Sequence, residues 1–438
     1  MIQAISLKAQ IWGRGFAAVF SLLRQGLPRW RGGTIAAWLA ETPTQRLVFA
    51  VLRAFRPNLL LNRKLISAYE NTATAIVTRQ QDVTEVLERE ADFEVVYEPK
   101  MRLITGGENF FLGMQDSATY TRDVSLARLV IKREDVTARL IPFVAAECES
   151  IVAASAGRLD LAQELTRRVP ARLVAHYFGT PKQDEDKLIA WTTLMFWYLF
   201  VDLKGEKAIT DQALAAAAEC RAWLDAWIAA RKANPTTQDD ILNRCLALQG
   251  TGIGGMDDLA IRNLLIGIFI GLVPTLSKSA ILAMTELLER PEALTEARAA
   301  ARADQDQRLA ELVFEAFRFA PMNPVIYRRA TRDLEIARGT NRRLQIPVGT
   351  MVLASNLSAM FDPMAVAAPE DFAPGRPWHV YMLWGYGMHT CFGQHINRAI
   401  IPQMLKPVLK RDGLTAEAAP DGAGTPFPAR FPIHFAKG

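Results

Sequence analysis

The sequence predicts a mainly α-helical protein with a small accessory β-sheet. Three observations carry that expectation. Apolar residues recur at helical spacing through most of the chain to about Phe319. Beyond Ala330 the texture changes to short strands punctuated by turns. No internal repeat or long low-complexity linker interrupts either region. The length, 438 residues, is within reach of one large core, and half the residues are apolar against 22% charged, so enclosing a sizeable cofactor is feasible on size alone.

Residues 1–60 read as a basic N-terminal extension of short helices ending at FRPN. From Lys8 to Lys64, ten cations (Lys8, Arg14, Arg24, Arg29, Arg31, Arg46, Arg53, Arg56, Arg63 and Lys64) stand against one acid, Glu41. Trp12, Trp30 and Trp38 are interleaved with them, so the extension reads either as a peripheral membrane-surface contact or as a solvated, loosely docked arm. Its apolar run Gly15–Leu23 stops at Arg24, well short of the roughly 20 residues a span requires. No h-region precedes a small-residue cleavage site, so no secretion is expected and a cytoplasmic location is. The net charge of +5 comes with no recognition motif, and no nucleic-acid partner is expected.

Ser67 to Val77 reads as a short hairpin. AIVTRQQDVTEVLERE then turns from strand into helix, with Val83, Val86 and Leu87 on one face. Helices are predicted at Thr137–Ser155, Asp184–Leu203, Asp211–Lys232 and Leu259–Glu289. RDLEIARGTNRRLQIPVGTMVLAS reads as strands with turns at Gly339 and at Pro347-Val348-Gly349. DPMAVAAPEDFAPGRP is proline-rich coil, and a last helix runs from about Gly393 to Lys410.

Cys148, Cys220, Cys245 and Cys391 are too widely spaced for a disulfide framework. The first two fall in alanine-rich helical patterns and read as plain buried thiols. Cys391 differs. In LWGYGMHTCFGQHINRA it follows Gly385 and Gly387 and precedes Gly393, and glycines let a backbone approach something flat or bulky. No CxxC, HExxH or CxxCH occurs, which argues against zinc and against covalently attached haem. A lone cysteine is either a structural residue in a tight turn or the axial ligand of a metal that brings its own equatorial set, as haem iron does. The helix that follows presents a partly positive N-terminus, which favours a thiolate.

WGYGMHTCFG resembles the cysteine loop of the cytochrome P-450 superfamily, F-G-x-G-x-H-x-C-x-G, with Trp384 in place of the leading phenylalanine. The resemblance extends over roughly Leu61 to Lys437. ELVFEAFRFAP is similar to the family's E-x-x-R helix through Glu315 and Arg318, and DFAPGR to the segment whose arginine, Arg376, completes a buried network with them. VTRQQDVTEVL and IPVGTMV resemble further family segments, and Arg318 precedes Cys391 by about seventy residues, in the family's order. Glu315 and Arg318, three apart, share a helix face, and a buried glutamate requires such partners.

The resemblance implies the cytochrome P-450 fold over residues 61–438 as a single catalytic domain. It implies haem b (iron protoporphyrin IX) between the central long helix and the cysteine-loop helix, with Cys391 as axial thiolate. It assigns His389 and Arg328 to the haem propionates; a turn-capping role for His389 is the alternative. Arg122 falls in the helix that clamps the propionates, with Tyr120 where the family often has histidine. Arg398 matches a family arginine or is a helix-surface charge. Phe110, Phe111, Val273, Val325 and Ile326 fall where the family lines its substrate pocket, and a plain core role is the alternative for each. The aromatic-rich Leu188–Phe200 falls in the access-lid region.

A thiolate ligand pushes electron density onto the iron and favours O–O cleavage. In most members the central helix carries a glycine and then an acid–alcohol pair. Here GLVPT places Gly271 and Thr275 at the glycine and alcohol positions and Pro274 at the acid position. Proline relays no proton and should open the helix locally. Three functions follow: a monooxygenase inserting one atom of O2 into an apolar substrate; an isomerase or peroxygenase using a lipid hydroperoxide without a redox partner; a non-catalytic haem sensor. The second is reinforced by a weaker similarity of Gly385–Lys406 to the cytochrome-like domain of fungal fatty-acid diol synthases. The substrate is expected to be small and apolar, a fatty acid or its hydroperoxide among the candidates. A separate ferredoxin-type donor would meet Arg122, Lys132, Arg133, Lys406, Lys410 and Arg411, if these form a patch rather than a solvated scatter.

Overall fold

The computed structural model describes residues 2–31, 34–181 and 185–436. It is predominantly helical, and its chain divides into two compact units, one built from residues 1–96 and 314–391 and the other from 97–313 and 392–438.

The first unit is organised on a five-stranded sheet. Its strands are β1 (Asn58–Leu61), β2 (Thr74–Val77), β3 (Phe93–Glu94), β4 (Ile326–Ala330) and β5 (Met351–Ala354), in the order β1-β2-β5-β4-β3. β2 and β5 run parallel, Thr74 opposite Met351 through Val77 opposite Ala354, and the other pairs are antiparallel. The hairpin expected at Ser67–Val77 is corrected: Thr74 pairs with Leu61, so the partner strand precedes the predicted segment. Asn71 shapes the turn between them by donating its amide to the Ile66 and Tyr69 carbonyls at 2.7 and 2.8 Å.

The N-terminal helices also differ from expectation. The first, α1 (Ile2–Arg31), is one 30-residue helix with Pro28 only in its last turns. It packs on α2 (Thr42–Phe55), where a Cβ at Gly15 would sit 2.4 Å from the Ala54 Cβ, so glycine is what permits that approach. Tertiary packing here overrides the low helix propensity of three glycines. On α3 (Gln80–Glu88), Val83, Val86 and Leu87 are fully buried with Ala75, Val77, Phe93, Val352 and Phe361, as their spacing predicts.

The second unit is helical around α5 (Asp258–Leu288), with α4 (Ala118–Val130) and α6 (Gln394–Leu409) among its other helices. A three-stranded sheet accompanies them, Pro432–His434 lying between Arg158–Asp160 and Thr415–Ala416. Apolar residues cover nearly all sides of α5, the signature of a core helix. Among the described residues it is the one helix long and apolar enough to cross a membrane, and 67% of that stretch is buried inside the protein. Pro274 does not open it: the helix runs uninterrupted past the proline, held by packing on both flanks. The expected helix from Asp184 is described from Glu185 and changes at Trp197–Val201 into a wider-pitch turn.

Candidate functional site

In the first unit the cysteine loop turns back on itself. The Cys391 amide donates to the Trp384 carbonyl at 2.8 Å, and the Thr390 amide and hydroxyl both reach the Gly387 carbonyl, at 3.1 and 2.8 Å. The Met388 amide donates to Glu90 Oε1 at 2.7 Å. Gly387 has φ +73°, and a Cβ there would lie 2.6 Å from the Leu87 carbonyl oxygen. The bare backbone is therefore needed where the loop crosses the end of α3. Trp384 is buried and stacks on Trp378 at 5.0 Å with the Phe314 edge at 5.2 Å, so the indole that replaces the family's phenylalanine completes an aromatic box.

None of the four cysteines is in a disulfide. Cys148, Cys220 and Cys245 are buried, and burial pushes their thiols up, the latter two to about 12, which leaves them inert. Cys391 alone is half-buried. Burial, reinforced by the Arg328 cation, pushes His389 down to about 3 and keeps its imidazole neutral. Arg328 is itself buried on β4 and donates to the Tyr327 carbonyl at 2.9 Å. Ile326 approaches the same loop: its Cδ1 lies 3.9 Å from a Cβ built on Gly385. Val325 and Ile326 are half-buried against the sheet core.

Glu315, Arg318 and Arg376 are joined in one cluster, with the first two fully buried. Arg318 grips Glu315 bidentately (Nη2–Oε1 2.7 Å, Nε–Oε2 3.1 Å), and the Arg376 Nε and Ala373 amide reach Oε1 at 3.1 and 3.0 Å. Arg318 also donates to the Met360 and Asp371 carbonyls, which ties the helix Asp306–Phe319 to the coil before the cysteine loop. Burial pushes Glu315 up, but the Arg318 guanidinium and the other donors outweigh it and hold the carboxyl below its ordinary value. The sequence reading missed the fifth donor, Tyr381, whose hydroxyl reaches Oε2 at 3.0 Å. A tyrosine sixty-six residues away carries no local signal of that contact.

In the second unit, α5 carries Gly271 and Thr275. Gly271 is exposed, and a side chain built there meets nothing within 4 Å. The Thr275 hydroxyl donates back to the Gly271 carbonyl, with the Leu272 carbonyl at 3.3 Å. Phe110 and Phe111 are buried at 3.9 Å ring separation, and Phe111 meets Phe392 at 5.5 Å. Gly267 was also missed: a Cβ there would fall 2.5 Å from the Phe110 ring. Its signal was available, since it precedes Gly271 by one helical turn and marks a small-residue stripe. Val273 lies on the far side of the helix from Gly271 and lines a narrow cavity with Arg167, Lys278 and Phe427. Tyr120 is half-buried in the first turn of α4, and Arg122 is exposed and paired to Asp123 at 2.8 Å. Arg398 lies exposed on α6.

Four of the six cations considered for a donor face carry ion pairs, which favours the solvated scatter over a patch. Lys406 and Lys410 pair with Asp304 at 2.9 and 2.8 Å, Lys406 also with Asp306, and Arg411 pairs with Glu149 at 2.6 Å. With Arg122 already paired, only Lys132 and Arg133 of the six remain without an ion pair among the described residues.

This donor set fits haem. No group of three His, Cys, Asp or Glu side chains that could hold a bare ion occurs among the described residues, while the cysteine loop supplies one accessible thiol beside a neutral imidazole and a buried guanidinium. The fold is that of known haem-thiolate proteins. The open cytochrome P450 EryK from S. erythraea superposes with a TM-score of 0.73 at 21% identity, covering 91% of this chain and 96% of that one. P450BioI in complex with an acyl carrier protein gives a TM-score of 0.74 at 18% identity, over 90% and 99% of the two chains. The cytochrome P450 family profile matches residues 69–412. The chain belongs to the cytochrome P450 family, whose cofactor is haem with an axial cysteine thiolate and whose chemistry is monooxygenation.

Among curated relatives, cyclomarin C epoxidase CymV of Salinispora arenicola is 26% identical over 280 residues, 62% of this chain and 67% of its own length. Erythromycin C-12 hydroxylase of Saccharopolyspora erythraea is 26% identical over 267 residues, 60% and 64%. Linoleate diol synthase of Gaeumannomyces graminis is 33% identical over 88 residues, 20% of this chain and 8% of that protein. The chain thus spans about two thirds or less of these relatives.

Proposed function

We propose that this chain inserts one atom of O2 into a small apolar organic substrate, residues 61–438 acting as a single catalytic domain with Cys391 as the thiolate ligand. The carrying observation is that Cys391, alone of four cysteines, is accessible, and sits in a loop whose glycine is sterically required. Bound haem supplies O–O cleavage and oxygen transfer; the protein supplies position, dryness and protons. His389 and Arg328 are read as propionate partners. Gly271 keeps one face of α5 clear, and Phe110 and Phe111 give an apolar wall. The Thr275 hydroxyl spends its proton on the Gly271 carbonyl and offers its lone pairs to a proton-bearing partner. Relatives named as a hydroxylase and an epoxidase support the reaction class, and electrons come from a separate donor. The location is read as cytoplasmic.

The test begins with the dithionite-reduced, carbon-monoxide-bound spectrum of wild type and of Cys391→Ser. A wild-type Soret band at the position of histidine-ligated haem, or an unchanged spectrum in the variant, overturns the ligand assignment. Pro274, at the acid position, and the segment similar to a diol synthase favour a second reading, hydroperoxide rearrangement. Turnover of a fatty-acid hydroperoxide without reductant selects it; activity only with ferredoxin, its reductase and NAD(P)H selects monooxygenation. Under monooxygenation, Pro274→Asp raises the fraction of electrons that reach product.

A further inference from the structure

Helix α1 carries an apolar stripe that nothing in its own unit covers. Trp12, Phe16, Phe20, Leu23, Leu27 and Trp30 are each 51–72% exposed. At 3.6 residues per turn they fall within an arc of roughly 80°, and the stripe is about 27 Å long. An adjoining flank of the helix is occupied: Ile11 and Ala18 are buried, a Cβ at Gly15 would run into Ala54, and one built on Gly26 would lie 3.0 Å from the Trp38 ring. Phe55 of α2 adds its edge to the stripe, 5.9 Å from Trp12 and 5.0 Å from Phe16. The stripe is therefore a second, outward face of a docked helix. It lies outside residues 69–412, the part that matches the family.

Charge decides what covers it. Lys8, Arg24 and Arg31 are exposed, have no ion pair among the described residues, and lie roughly 20–40° outside the two edges of the stripe. Glu41 is the only acid among the first 64 residues. A second copy of this face would bring the same cations against one another, whereas anionic headgroups complement them. Tryptophans at both ends match the preference of indole for the lipid–water boundary. With Arg14 and Arg24 in its length, α1 does not meet the criterion for a span, and its packing on α2 leaves it to lie along a surface.

We propose that α1 is an interfacial helix that seats the protein on an anionic lipid bilayer, its aromatic stripe entering the headgroup region and Lys8, Arg24 and Arg31 meeting acidic headgroups. The inference is independent of the haem assignment. The test is co-sedimentation of the full-length, haem-loaded protein with vesicles of phosphatidylcholine, with and without phosphatidylglycerol. Binding is expected to need phosphatidylglycerol and to weaken with salt. Phe16→Gln/Phe20→Gln/Leu23→Gln should lose at least about tenfold per side chain. Arg24→Gln/Arg31→Gln should lose about fivefold per cation on the anionic vesicles. In wild type, brominated phosphatidylglycerol should quench tryptophan fluorescence, and Trp12→Phe/Trp30→Phe should abolish that quenching, which keeps the proposal testable if the glutamine variant misfolds. Absence of vesicle binding, insensitivity to the arginine substitutions, or a wild-type dimer in sedimentation velocity that the glutamine variant dissolves without any vesicle affinity would each overturn it.

Discussion

Replacing Glu315 by glutamine keeps the side chain's shape and removes its charge. The carboxylate accepts from five donors between 2.7 and 3.1 Å, and Arg318 has no exposed surface. An amide can accept at one end only. If its oxygen keeps the Oε1 position, three donors remain satisfied, the Tyr381 hydroxyl can reverse, and the Arg318 Nε faces another donor. The greater loss is electrostatic, because two guanidinium groups lose their counter-charge and Arg318 is left buried as an uncompensated cation. Such a removal costs about 3–5 kcal/mol, a large share of the ~5–15 kcal/mol that stabilises a typical domain. Tyr381→Phe takes away one donor and no charge, and should cost about 0.5–1.5 kcal/mol. Because the folded carboxyl titrates below its unfolded value, its stabilisation is complete above an unfolded pKa of about 4.3 and is lost as pH falls through the lower folded value. Glu315→Gln should lack that acid-dependent component. Urea unfolding followed by circular dichroism across pH measures all three effects. A Glu315→Gln variant within about 1 kcal/mol of wild type, or no more affected than Tyr381→Phe, would refute the account of the cluster as a paired buried charge.

The two glycines of α5 should respond in opposite ways to alanine. Gly267→Ala drives a methyl into the Phe110 ring and should destabilise by about 1–3 kcal/mol of overpacking, whereas Gly271→Ala meets no protein atom and should gain up to ~1 kcal/mol from helix propensity, while altering substrate-induced haem spectra; thermal melts and ligand titrations separate the pair. Gly387→Ala combines a left-handed backbone with a 2.6 Å clash against Leu87, and should fail to retain haem on gel filtration. Lys278 has no carboxylate partner among the described residues, and burial pushes it down to about 8. Between that value and its ordinary 10.5 the unfolded chain holds the extra proton, so this group makes stability rise with pH there. Lys278→Met should remove the rise and stabilise at neutral pH by on the order of 1 kcal/mol, read from urea midpoints at several pH values.

Much of the fold was legible because it is local. The apolar texture of Leu259–Glu289 marks a helix buried on all sides, the spacing of Val83, Val86 and Leu87 marks a face, and the three-residue interval of Glu315 and Arg318 puts both on one side of a turn. The cysteine loop was legible because left-handed and close-approach backbone demands glycine whatever surrounds it. Contacts set by topology were not. Which strand pairs with Thr74–Val77 depends on how Asn71 folds the intervening turn, and whether residues 2–31 form one helix depends on a partner helix that Gly15 lets come close. Tyr381, the ring that claims the space above Gly267, and the acids that neutralise Lys406, Lys410 and Arg411 all lie far away along the chain. Periodicity and spacing report which side of an element is apolar or charged; only the folded chain decides what that side meets, because the energy of burial and ion pairing belongs to the pair and not to either residue.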